Sequence, residues 1–193
     1  MTDKAAHLTK LLQLVSPALP TGAFSYSQGL EWAVEAGWVR DADGLADWLR
    51  ELLQRTMIQV DLPLLRLMTQ ACRNHDRQRL DSCCSLLLAC RESREIREEE
   101  GQRGRAMAVL LAGLGMIENE DWQRTLVRSQ LAGFAYAAQT WGIPDDQAAT
   151  GYLWSWLENQ VITGVKLIPL GQTAGQRLLL LLGGDIHSIA LEG

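Results

Sequence analysis

Apolar residues recur at helical spacing along almost the whole chain, and nowhere do two alternating apolar–polar runs meet across a hairpin turn. Side chains that return to one face every three or four residues suit a helix. A strand would scatter them to both of its faces. The chain is thereby restricted to an all-α fold. His7–Ser16 carries Leu8, Leu11, Leu12 and Val15 on one face, and Pro17 and Pro20 end that helix. A second helix is predicted from about Ser25 to Ala36, stopped by Gly37. Asp41 or Asp43 caps a third, whose stripe is Leu45, Trp48, Leu49, Leu52 and Leu53. Asp61-Leu62-Pro63 reads as a restart leading towards Asn74. Helical pattern resumes over Gln78–Leu88 and passes into Arg91–Leu114. Asp121 caps a helix that reaches Trp141, and an apolar segment follows Pro144 as far as Ile162. Gly164 and Pro169 interrupt it before a last helix over Gln172–Leu182.

No unit repeats at a fixed period and no linker divides the 193 residues, so the expectation is one domain over residues 1–193. Its architecture is a compact bundle of about eight to ten helices. The formal net charge of −5 argues against nucleic acid as a partner, because phosphate binding needs a basic surface. No apolar run approaches the roughly 18–20 residues of a membrane span, and Met1–Lys10 has no signal-peptide core. The expected location is the cytoplasm. The four cysteines, Cys72, Cys83, Cys84 and Cys90, are expected to stay reduced there.

Four segments are candidates for function. Ser16–Glu31 sets Pro17, Pro20 and Gly22 before a helix that Ser25 caps, with Gln28 in the capping-box position and Phe24 and Tyr26 beside the cap. It is either a buried corner or a rigid surface for a partner, with Glu31 as the charged contact. Arg91–Glu100 is polar all round except for Ile96 and pairs Arg91 with Glu95 and Arg94 with Glu98 one turn apart. Such a run is a solvated face, a partner surface, or a set of charges paired inside the bundle. Gly101 and Gly104 follow and allow another backbone to approach. Gly164–Arg177 holds Lys166 between Val165 and Leu167, where its ammonium must reach water or an acid. Its Gly171–Gly175 stretch lacks the Lys-Ser/Thr pair of a phosphate loop, so it binds no nucleotide. Cys72 with His75, and Cys83 with Cys90, are spaced to share helix faces, yet no Cys-x-x-Cys exists and small buried hydrophobes are the commoner use of such cysteines. Trp154 and Trp156 point to nearly opposite sides of an almost wholly apolar helix. No catalytic motif is present.

Three of these blocks carry a resemblance. Ser-Pro-Ala-Leu-Pro-Thr-Gly-Ala-Phe-Ser-Tyr-Ser-Gln-Gly-Leu-Glu from Ser16, Arg-Glu-Ser-Arg-Glu-Ile-Arg-Glu-Glu-Glu from Arg91 and Gly-Val-Lys-Leu-Ile-Pro-Leu-Gly-Gln from Gly164 together resemble the urease accessory protein F family. The resemblance implies a homodimer and a complex with urease accessory protein D (H in some organisms). It also implies the nickel-carrying GTPase, urease accessory protein G, docked with them on the urease apoprotein. In that reading the chain is a non-enzymatic adaptor that binds no cofactor, while the complex handles nickel and GTP. An alternative makes it a GTPase-activating protein, with Arg94 or Arg97 as an arginine finger. The partner-binding residues implied are Pro20, Gly22, Phe24, Ser25, Tyr26, Glu31, Arg94, Arg97, Glu98, Lys166 and Gln172. Members of the family usually continue into a further helix and a basic, aromatic tail that helps engage protein D, so this sequence is expected to be a truncated one.

Overall fold

The computed structural model describes residues 2–22 and 27–192, and these contain helices and no strand. The α-helices are α1 (Thr2–Leu14), α2 (Leu30–Glu35), α3 (Ala42–Leu52), α4 (Leu62–Arg73), α5 (Arg77–Cys90), α6 (Arg94–Gly113), α7 (Glu120–Leu126), α8 (Gln130–Thr140), α9 (Asp145–Leu167), α10 (Gln172–Gly183) and α11 (Ile186–Glu192). A π segment, Leu53–Asp61, joins α3 to α4 without a break. The fold is all-α, as the periodicity requires.

Local chemistry explains most boundaries. Asp41 caps α3 by accepting from the Gly44 N–H at 2.9 Å, and Ser93 caps α6 by accepting from that of Ile96 at 3.2 Å. Gly37 and Gly142, at φ +73° and +67°, follow α2 and α8 in the left-handed region that glycine tolerates.

Several expectations are corrected. The predicted cap Ser25 lies outside the described residues, and α2 begins only at Leu30, after Gln28 and Gly29 at φ 49° and 89°. Gln28 therefore stands before the helix and not at the third position of a capping box. Asn119, not Asp121, caps α7, because its Oδ1 accepts from the N–H groups of Asp121 and Trp122 at 3.1 Å. The single helix expected up to Trp141 breaks at Ser129, which starts α8 with its own cap. Gly164 does not interrupt α9; a Cβ there would stand 2.4 Å from Leu45 Cδ2, so its role is close packing on α3.

The centre of the core is α8, buried from Gln130 to Ala138. Its alanines and Gly133 let neighbours approach: a Cβ on Gly133 would meet Met107 Cγ at 2.5 Å. Gly104 of α6 is equally tight, with the Ser129 backbone nitrogen 2.6 Å from its hypothetical Cβ. The same is not true of Gly101, which faces only Arg105 at 3.5 Å. Helix α9 crosses the core as its composition foretells, burying Tyr152, Leu153, Trp156, Leu157 and Val161. Each large apolar side chain so buried contributes about 1.5–3 kcal/mol. Trp154 stays partly exposed while Trp156 is buried, so the two tryptophans do face apart.

Candidate interaction site: a buried ion network beneath an acidic, tryptophan-edged face

The site is organised from below by five charged residues. In the π segment, hydrogen bonds reach one residue further than in an α-helix. Residues four apart thus stay on the inner face, and Leu53, Met57 and Asp61 are all buried. Asp61 receives Arg91 bidentately, Nη1 to Oδ1 at 2.8 Å and Nη2 to Oδ2 at 3.0 Å, and the Tyr152 hydroxyl donates to Oδ2 at 2.7 Å. Arg91 Nη2 also donates to Glu100 Oε2 at 3.1 Å. The other oxygen of Glu100 accepts from Ser129 Oγ at 2.8 Å and from the N–H groups of Gln130 and Leu131 at 2.9 and 3.3 Å. A carboxylate is thus seated on the N-terminus of α8, where unpaired N–H groups and the helix dipole favour it. Arg103 completes the set, donating to Glu99 Oε1 and Gln130 Oε1, both at 3.2 Å.

Burial works against every charge here. It would push the Glu100 carboxyl up, but Arg91, Arg103 and Ser129 outweigh it and hold that carboxyl below its ordinary value. Glu99 goes the other way: burial raises it, and Arg103 only partly offsets the rise. Burial also opposes the charge on Arg91, yet Asp61 and Glu100 keep it firmly protonated. The Tyr152 hydroxyl is pushed well up by burial and by Asp61, so it remains a donor. Together these groups fix the connection between α5 and α6.

Part of Arg91–Glu100 is therefore internal. Arg91 precedes α6 in extended backbone, and its expected pair with Glu95 is replaced by Asp61 and Glu100. Arg94 and Glu98 do pair, Nε to Oε1 at 2.8 Å, on the exposed face. Arg97 is exposed too and donates to the Arg91 carbonyl at 2.6 Å.

Above the network, Gln28 Oε1 accepts from Trp156 Nε1 at 2.7 Å and from Gln160 Nε2 at 3.4 Å. These bonds hold the left-handed turn that sets α2 in place. Glu31 is exposed in the first turn of α2 and lines one groove with Glu95, Glu98 and Glu99 of α6. Of the remaining predicted residues, Pro20 and Gly22 are exposed, with Gly22 at φ +72°, and Phe24, Ser25 and Tyr26 lie outside the described residues. Lys166 is exposed in the last turn of α9, and Gln172 opens α10 across the same turn. Glu31 and Glu98 are thus brought together, and neither Lys166 nor Gln172 lines their groove.

The model of the UreF family matches residues 39–183. Proteins named urease accessory protein UreF are similar over nearly the whole chain. That of Alcanivorax borkumensis is 48% identical, covering 95% of this chain and 85% of its own. That of Pseudomonas putida is 48% identical with 93% and 80% covered, and that of Citrobacter koseri 43% with 93% and 80%.

The chain belongs to the UreF family.

In this UreF chain the metal-ligand pairings offered by spacing do not form. His75 lies beyond α4 at φ 52°, so it shares no helix face with Cys72. Cys83 is buried whereas Cys90 is exposed, so that pair is split as well. Burial pushes the Cys72 and Cys84 thiols up to about 12, leaving them protonated and inert. Gly175 is buried inside α10 against Val165 and serves close packing, whereas Gly171 precedes the helix, exposed and at φ +76°. The residues of the network that sequence reasoning missed are Asp61, Arg103, Ser129, Gln130 and Tyr152. One signal for Asp61 stood in the sequence: it is the lone charge within Met57–Leu65.

Proposed function

We propose that the chain is a urease maturation factor, an adaptor with no chemistry of its own. Its relatives are named urease accessory protein UreF at 43–48% identity, and this is the observation that carries the reading. In this proposal the chain works as a homodimer in the cytoplasm. With urease accessory proteins D (or H) and G it assembles on the urease apoprotein and supports GTP-dependent nickel insertion. The charged residues of the site suit a scaffold: the buried ones are locked in reciprocal pairs, and the exposed ones sit on helix faces. The arginine-finger alternative gains little, because Arg94 and Arg97 are already engaged by Glu98 and by the Arg91 carbonyl.

Co-purification of the chain with proteins D and G, followed by GTP turnover with and without it, tests the proposal. An adaptor gives a stable complex and urease activation. Failure to form any complex, or urea cleavage or GTP hydrolysis by the chain alone, overturns it.

A further inference from the structure

Two tryptophans stand where folding does not need them. Trp32 and Trp38 are 56% and 64% exposed and pack edge to face with ring centroids 4.5 Å apart. Helix α2 is anchored by its other face, through Leu30 and Ala33. Exposed, mutually braced tryptophans are what a protein interface concentrates at its energetic centre, since they bury much area and lose little freedom. Trp32 borders a groove of about 490 Å³ whose apolar wall is Trp48, Leu52, Val60 and Ile96.

The groove does not end there. Gln28, Gly29 and Ile96 also line the adjoining groove of about 290 Å³ that holds Glu31, Glu95, Glu98 and Glu99, so the two are continuous. Glu31 and Glu92, both exposed here, take part in no ion pair among the described residues. Of the nearby cations, Arg55 pairs with Glu51 and Arg94 with Glu98; Arg97 keeps its charge, donating to the neutral Arg91 carbonyl, but lines neither groove. The surface is an apolar trough with a negative end.

We propose that this trough binds a basic amphipathic helix of a partner protein, its apolar stripe against Trp32, Trp48, Leu52 and Ile96 and its Lys or Arg residues against Glu31, Glu95 and Glu92. The occupant is fixed by charge: an anionic membrane or a nucleic acid is repelled by these carboxylates, and an acidic segment equally so. Helix-in-groove recognition supplies the apolar part. The Arg91–Asp61–Glu100 network holds one wall still, because the 91–93 connection cannot shift without exposing buried charges. The inference rests on the adaptor reading only for which protein carries the helix.

The probe is a fluorescein-labelled Leu/Lys helix of about 18 residues, long enough to place an apolar stripe over several turns. A Leu/Glu helix of identical pattern and a Lys/Ser peptide are the controls, with anisotropy read against the full chain at low and moderate salt. Only the Leu/Lys helix binds. Trp32→Ala weakens it about tenfold or more, the Glu31→Gln/Glu95→Gln pair weakens it several-fold and flattens the salt dependence, and Leu180→Ser, at an exposed residue that lines neither groove, changes nothing. Equal binding of the Leu/Glu helix, or parent-like binding by both groove variants, overturns the proposal. So does sedimentation showing that Trp32→Ala dissolves a dimer of the chain, which would make a second copy the occupant. If the helix fails to bind while proteins D and G still co-purify, the trough assignment falls and the adaptor reading stands. If the helix binds and no complex forms, the reverse holds.

Discussion

Removing the Arg91 guanidinium should be among the most destabilising single changes in the chain. Arg91 is 6% exposed and answers two carboxylates, Asp61 at 1% exposure and Glu100 at 5%. Arg91→Ala leaves both acids buried with no cation in contact except what reaches Glu100 from Arg103, and Tyr152 alone still donates to Asp61. Breaking one partner out of a buried pair costs about 3–5 kcal/mol, because the abandoned charge keeps its desolvation penalty. A domain of this kind is stable by roughly 5–15 kcal/mol, so the variant loses a large share of the total. The matching exposed change, Arg94→Ala, breaks a pair of the same 2.8 Å length between side chains 79% and 55% exposed. It should cost about 0–1 kcal/mol, since water screens such a pair and replaces it. Urea denaturation of both variants, followed by far-ultraviolet circular dichroism, makes the comparison with shared baselines. A loss below about 1 kcal/mol for Arg91→Ala would refute the reasoning, as Asp61 and Glu100 would then have to be hydrated and not sealed in.

Gly104→Ala should destabilise the fold by about 1–3 kcal/mol in the same assay, because its new methyl meets the Ser129 nitrogen and Val127 carbonyl, backbone atoms that cannot rotate away. Acid titration of stability should show Glu100: its folded carboxyl lies below the ordinary 4.5, so its contribution is present above about that pH and is lost as pH falls through the lower folded value. Glu100→Gln should remove that part of the acid-side slope, and an unchanged profile counts against it. A thiol reagent at neutral pH should modify Cys90 quickly and Cys72 and Cys84 only after denaturant is added, because burial blocks access to the latter and keeps them protonated. Lys166→Ala should move the thermal midpoint little, since the side chain is exposed, while weakening recruitment of the GTPase; a strong loss of stability with intact binding per folded molecule sinks that interface assignment.

The sequence by itself determined the all-α class and most of the helices, because helical periodicity and end caps are written in residues three or four apart. Asp41, Gly37 and the stripe of α3 are legible on that ground. Gly104 was legible as a place of close approach, though not what approaches it. The resemblance of three blocks pointed to the family that the comparisons show. Tertiary structure alone decided the fate of the charges in Arg91–Glu100. Arg94 and Glu98 lie one turn apart and pair as read, but Arg91 answers Asp61, 30 residues away, and Glu100 seats Ser129, 29 residues away. Tyr152 reaches Asp61 across 91 residues. A charge is buried only where distant elements converge to neutralise it, and within Arg91–Glu100 nothing local distinguishes the buried charges from the solvated ones. The Trp32–Trp38 edge is the converse case: composition makes tryptophans core by default, and only the packing of α2, with Leu30 and Ala33 turned inward, leaves these two outside.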